Sequence, residues 1–322
     1  MILLGLSIVL MGSVFLQPTD SLQLRARGLS DSALVVEAKK DPLGARDAIN
    51  DMLSHAVRGT TASREQEIAA ARRIAAAYSI AWRDSFFVRQ VARFAASTPQ
   101  RKSAKVTADS LRRVGVAAYG RRGPDAAIVI WRRALLRAAA IADSDGEAAT
   151  SGNIGAALSR LGQLDSATFY LVQARRLAAS IGDTRVEANA LAELAGVSEA
   201  RDSIVAARDA YAKVSVLRER IGDTRGLAAD YNNLGLLVQR LGDMDEARRD
   251  FEAAQALNRR EGRDVAAATN LVNLAGLASL TGELVRADSL YHDALGTWRS
   301  HGYSTDAADA LRGLTGIRTA GQ

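Results

Sequence analysis

Four stretches of this chain repeat at a spacing of 40 residues with no insertion or deletion between them. Gly182, Gly222, Gly262 and Gly302 each close one unit. Ala167, Ala207, Ala247 and Ala287 fall in step, as do Leu171, Tyr211, Phe251 and Tyr291, and again Ala174, Val214, Ala254 and Ala294. A fixed period of this size means a stack of supersecondary units, each burying its apolar face against the next, and such arrays serve as recognition surfaces.

The register extends back one unit, since Gly115, Ala127, Trp131 and Ala134 stand 40 residues before Gly155, Ala167, Leu171 and Ala174. The units therefore run at about 104–143, 144–182, 183–222, 223–262 and 263–302, within an array over 102–322. A last stretch over 305–317 carries Leu311 and Leu314 in phase. It reads as the first helix of a further unit, either a terminal cap or a surface for self-association.

Inside one unit the residue types dictate two helices. Helix A runs from about Gly146 to Arg160 and turns at Leu161-Gly162; helix B runs from about Asp165 to Ser180 and stops at Gly182, where glycine accepts positive φ without penalty. Gly162, Gly242 and Gly282 mark the turn, and Asp202 replaces glycine in the remaining unit. Gly155, Ala195, Gly235 and Ala275 are small, so helix A can approach helix B, and the Leu171 series supplies the large side chain that fills the remaining space.

Residues 19–101 fall outside the register and read as a helical amino-terminal cap. Residues 30–58 suggest two short helices, the second begun by Asp41 with Pro42 in its first turn. Ser63 is the expected cap of a helix reaching Trp82, with Ile68, Ala71, Ile74, Ala75 and Tyr78 as its apolar stripe. Asp84 is the expected cap of the next, with Phe87, Val88, Val91 and Phe94 facing the core. Ahead of this segment, Ile2 to Leu16 form an apolar run, short for a membrane span, that suits a signal peptide or short anchor over 1–18. It lacks a preceding basic residue and a small-x-small cleavage site. The alternative is a helix buried on the rest of the protein. Export would place the chain in a bacterial cell envelope with membrane association through residues 2–16; without it, the chain would be cytoplasmic. Arginine outnumbers lysine 37 to 5, which together with the abundant alanine suggests a GC-rich bacterial genome.

The small residue in helix A, the turn glycine, the alanine early in helix B, the large residue four later and the alanine three beyond that resemble the tetratricopeptide repeat. Tyr231-Asn-Asn-Leu-Gly235 and Leu241-Gly-Asp-Met-Asp-Glu-Ala247 carry the resemblance most closely. The usual unit is about 34 residues; the longer period resembles kinesin light chain-like arrays. Similar arrays precede caspase-like (CHAT) domains in some bacterial proteins, and on that comparison this chain corresponds to the recognition part alone. The resemblance implies an all-α, right-handed superhelical solenoid of antiparallel helix pairs that binds an extended protein or peptide segment in its concave groove. Asparagines in helix A would grip the ligand backbone, an amide being both donor and acceptor. The matching residues are Asn153, Asn233 and Asn273, with Glu193 in the second unit. Arg160 and Arg240, two turns along the same face, would hold a carboxylate; Asn189 and Asn232 would extend the lining. The other reading is that these asparagines satisfy backbone groups within the array.

Net charge is +6 but unevenly spread: residues 1–150 hold 22 basic and 14 acidic groups, a net +8, against 20 and 22 beyond, a net −2. Arg112, Arg113, Arg121, Arg122, Arg132, Arg133 and Arg137 concentrate the excess in the first unit. This is either a patch for nucleic acid or anionic lipid or the solvated face of two helices. Sparse aromatics and the lack of a nucleic-acid motif count against nucleic acid.

With no cysteine, disulfides, thiolate metal sites and a cysteine nucleophile are excluded. His55, His292 and His301 have no metal-ligand spacing. The acidic groups near Asp243 sit where a helix dipole favours them. No phosphate-binding glycine loop follows a strand. The expectation is a non-enzymatic scaffold without cofactor or metal.

Overall fold

A computed structural model describes residues 22–302, and every regular element among them is helical. The amino-terminal helices are α1 (Leu22–Arg25), α2 (Asp31–Lys40), α3 (Pro42–Arg58), α4 (Thr61–Trp82) and α5 (Phe86–Ala96). Four pairs follow, α6 (Pro99–Arg122) with α7 (Pro124–Ala139), α8 (Ser144–Arg160) with α9 (Leu164–Ile181), α12 (Thr224–Arg240) with α13 (Met244–Arg260), and α14 (Asp264–Leu280) with α15 (Leu284–Ser300), and between the second and third of these in sequence run α10 (Thr184–Ala200) and α11 (Ile204–Arg220). The pairs keep the 40-residue period of the sequence. The apolar run at 2–16 and the helix expected over 305–317 lie outside the described residues. Among the described residues, no helix is long and apolar enough to cross a membrane.

The described residues divide into two compact units. One comprises 22–197 with 220–223; the other comprises 198–219 with 224–302.

In the first unit Asp41 and Pro42 start α3 as expected, the carboxylate accepting from the Gly44 amide at 2.8 Å. The cap of α4 is Thr60, whose hydroxyl accepts from the Ser63 amide; Ser63 is the third helical residue, because the chain turns helical as soon as a hydroxyl can satisfy that amide. Asp84 accepts from the Phe86 amide at the start of α5. The buried face of α5 uses Phe86, Phe87, Val91 and Phe94, while Val88 is exposed. The cap position is Ser85, one residue later than expected, and Phe86 rather than Val88 joins the buried stripe. Tyr78 and Phe87 meet edge-on at 4.9 Å, with Phe86 against Phe87 at 5.1 Å.

This segment does more than cover one end of the array. Arg93 of α5 pairs with Asp145 at the start of α8, and Arg89 donates to the Ile181 carbonyl at the end of α9. Arg46 of α3 approaches Asp183 at 3.9 Å, and the Trp82 ring lies against Gly222. The amino-terminal helices thus seat on three successive turns between repeats.

The close approach of helices A and B rests on missing side chains. A Cβ on Gly155 would stand 2.6 Å from Leu171 Cγ, one on Gly115 would stand 2.3 Å from Trp131 Nε1, and in the second unit one on Gly235 would meet Phe251 at 2.5 Å. Leu171 and Phe251 are consequently buried completely. Asp202 takes the left-handed conformation (φ 58°) that glycine holds at the equivalent turns, a conformation aspartate tolerates better than most residues.

Candidate peptide-binding face

Helices A of the first unit carry Asn153, Arg160, Asn189 and Glu193. Asn153 is half-buried on α8, two residues before Gly155, which lets α9 approach, and no group among the described residues bonds its amide. Arg160, at the end of α8, lies 4.0 Å from Glu193 on α10. The two therefore join neighbouring helices A and partly neutralise each other. Asn189 is half-buried and already engaged.

In the second unit α12 carries both an unbonded amide and part of a closed network. Asn233 is half-buried on α12 with no hydrogen-bond partner among the described residues. Its neighbour Asn232 is buried, and its Oδ1 accepts from Asn270 at 2.9 Å and from Asn273 at 2.6 Å. Asn270 in turn accepts from Asn258 of α13 at 2.8 Å, and Arg263 donates to Asn258 at 2.9 Å. Asn232 and Asn273 thus satisfy each other across α12 and α14. Burial makes this compulsory, because an amide withdrawn from water needs a protein partner. Arg240 is taken up by Glu199 at 3.2 Å and Asp202 at 3.0 Å, so its charge is balanced within the chain.

Two further polar positions escaped the sequence reading. Arg218 and Asp230 form an ion pair buried at 5% and 2% exposure. Asn258 and Asn270 stand 40 residues on, and Ala178 and Ala190 stand 40 residues before. The signal was available in the register, where two positions 12 apart change together from apolar to ionic to amide.

The basic group separates. Arg112 is half-buried on α6, and this withdrawal from water holds its guanidinium pKa below the usual arginine range; Asp109 on the same helix lies 3.9 Å away. Arg113 is bound to Asp51 and Ser54. Both leave the patch, Arg112 by its partial burial and Arg113 because α3 brings acidic and hydroxyl groups to α6 that sequence spacing does not reveal. Arg121, Arg122, Arg132, Arg133 and Arg137 are exposed, with no acidic partner among the described residues.

A second concavity in the first unit, about 160 Å³, is lined by Arg93, Arg101, Lys102, Lys105, Asp143 and Asp145. Lys105 reaches Asp143 at 2.8 Å and Arg93 reaches Asp145 at 2.9 Å, while Arg101 and Lys102 donate to backbone carbonyls. The concavity is smaller than the roughly 300–1,000 Å³ of drug-sized ligand sites. Among the described residues no three His, Asp or Glu side chains stand together to hold a metal ion.

The fold defines a tetratricopeptide-type helical repeat array. The family profile for the tetratricopeptide repeat matches residues 227–300. Solved structures with the same fold include BtubC (BKLC) from P. vanneervenii, 21% identical with a TM-score of 0.52 over 74% of this chain and 92% of that one. A putative kinesin light chain from Podosopora anserina with nearly identical repeats is 15% identical, with a TM-score of 0.51 over 62% and 98%. A signal transduction ATPase with a tetratricopeptide repeat sensor from Pyrococcus horikoshii is 14% identical, with a TM-score of 0.60 over 86% of this chain but 43% of that one. At these identities the likeness is one of fold. No curated protein matches the chain.

Proposed function

We propose that this protein is a non-enzymatic scaffold that binds an extended peptide or protein segment through asparagines of its helices A. The observation that carries this is the state of Asn153 and Asn233. They occupy the same register position in repeats two apart, both are half-buried, and neither amide has a hydrogen-bond partner among the described residues. A half-withdrawn amide with unused donor and acceptor suits a ligand backbone, whose N–H and C=O it pairs with whatever the ligand's side chains. Arg160 and Arg240 stand on the same two helices, paired with Glu193 and with Glu199 and Asp202, ready to exchange partners with a charged ligand. The apolar run at Ile2 to Leu16 supports a location at a cell envelope.

Crosslinking in cells of the source organism, comparing the wild type with Asn153→Ala/Asn233→Ala, tests the proposal. Segments captured by the wild type are then made as peptides and titrated against both proteins. At least tenfold weaker binding by the variant, with unchanged circular dichroism, is the expected result. Equal affinities would refute the role of these asparagines.

A further inference from the structure

The helices B of the first two repeats present an outer face whose composition is not that of an ordinary solvated surface. On α7, Val129 and Leu136 lie seven residues apart and so on one side of the helix, 62% and 72% exposed. Arg132, Arg133 and Arg137 flank them. On α9, Phe169 occupies the register position of Val129 and is 58% exposed, with Val172 and Arg176 beside it. The two helices belong to one compact unit, and the register-equivalent Val129 and Phe169 are both exposed on it. None of these four arginines has an acidic partner among the described residues, and Asp125 and Asp165 stand in the first turns of the two helices.

We propose that this face docks on an anionic lipid bilayer, Val129, Leu136, Phe169 and Val172 entering the interface while Arg132, Arg133, Arg137 and Arg176 meet the headgroups. The combination fits a membrane better than other anionic partners. Nucleic acid calls for stacking aromatics, and the apolar members here are mainly aliphatic. Apolar side chains ringed by unpaired cations are what an interfacial helix face requires. The apolar run at Ile2 to Leu16 points independently to a membrane. The docking face lies on helices B and leaves Asn153, on α8, for a peptide.

Each arginine near an anionic surface strengthens partitioning by about fivefold. The chain has no cysteine, so Val172→Cys carries a unique environment-sensitive dye. The labelled full-length protein is mixed with vesicles of phosphatidylcholine alone, or with 30% phosphatidylglycerol. A blue shift with the anionic vesicles only is expected. In Arg132→Glu/Arg133→Glu/Arg137→Glu, partitioning to anionic vesicles should fall at least tenfold, while Asn153→Ala/Asn233→Ala should keep it. Leu136→Ser/Phe169→Ser, which changes no charge, should abolish the blue shift and serves as the deciding variant if charge reversal disturbs folding. An unmoved dye on vesicles that nevertheless bind the protein would assign binding to the apolar run and overturn the proposal. A shift produced by an acidic amphipathic peptide but not by vesicles would overturn it in favour of a protein partner.

Discussion

Asn258 donates to Asn270 across 2.8 Å, in the place where the preceding repeat holds the buried ion pair of Arg218 and Asp230. One position on helix B and one on the next helix A therefore change chemistry together as the array proceeds. A buried ion pair contributes little net stability against an apolar isostere, but a mismatch at either end leaves a charge or amide unsatisfied. Pairs that differ between repeats make each helix complementary to its own neighbour, a specificity that the uniform alanine and glycine ladders do not supply.

Asp230→Ala should destabilise the protein by about 3 kcal/mol, because Arg218 would remain buried without its main counter-charge. Arg218→Asn/Asp230→Asn, which installs the pair found one repeat later, should recover more than half of that loss. Denaturant unfolding followed by circular dichroism measures both, and equal losses for the single and double variants would refute the pairing argument.

The asparagines of helices A should divide into two groups. Asn232→Ala removes the acceptor shared by Asn270 and Asn273 and should cost about 1–3 kcal/mol. Asn153→Ala and Asn233→Ala should shift stability by less than about 0.5 kcal/mol, since neither amide is bonded among the described residues. Thermal melts of the three variants make the comparison directly.

Two glycines with the same backbone should respond unequally to alanine. Gly222 and Gly262 have φ of 64° and 65°, so alanine at either carries a left-handed cost of about 1–2 kcal/mol. At Gly222 the added methyl would also run into the Trp82 ring, at 1.9 Å, whereas nothing lies within 4 Å of it at Gly262. Gly222→Ala should therefore lower the melting temperature distinctly further. Adding Trp82→Ala should not restore the wild-type value, because Trp82 also donates to the Ala38 carbonyl at 2.9 Å.

Asp250 on α13 gives a pH dependence of defined sign. Burial, reinforced by Glu246 and Asp243, pushes its carboxyl up to about 6, and its Oδ2 is buried without a hydrogen-bond partner. A carboxyl whose folded value exceeds its unfolded value of 3.8 supports the fold fully below pH 3.8 and loses that contribution as pH rises through about 6. Asp250→Asn should thus stabilise the protein at pH 7.5 by about 1 kcal/mol, discounted for partial solvent screening, and the gain should vanish near pH 4. Melting temperatures of both proteins between pH 4 and 8 would show it.

The sequence by itself determined the repeat, its period and the helix pairs. Each depends on contacts within about 40 residues, and glycine at Gly162 or Gly182 and the small residue at Gly155 have local steric causes visible in the register. It also singled out Asn153 and Asn233. The tertiary structure decided which polar residues remain available. Asn232 and Asn273 face each other only because α14 packs on α12, and Arg113 is neutralised only because α3, some 60 residues away in sequence, brings Asp51 beside it. Burial and charge pairing are properties of what packs against a side chain, and a linear register states where a residue stands in its helix but not what lies across from it.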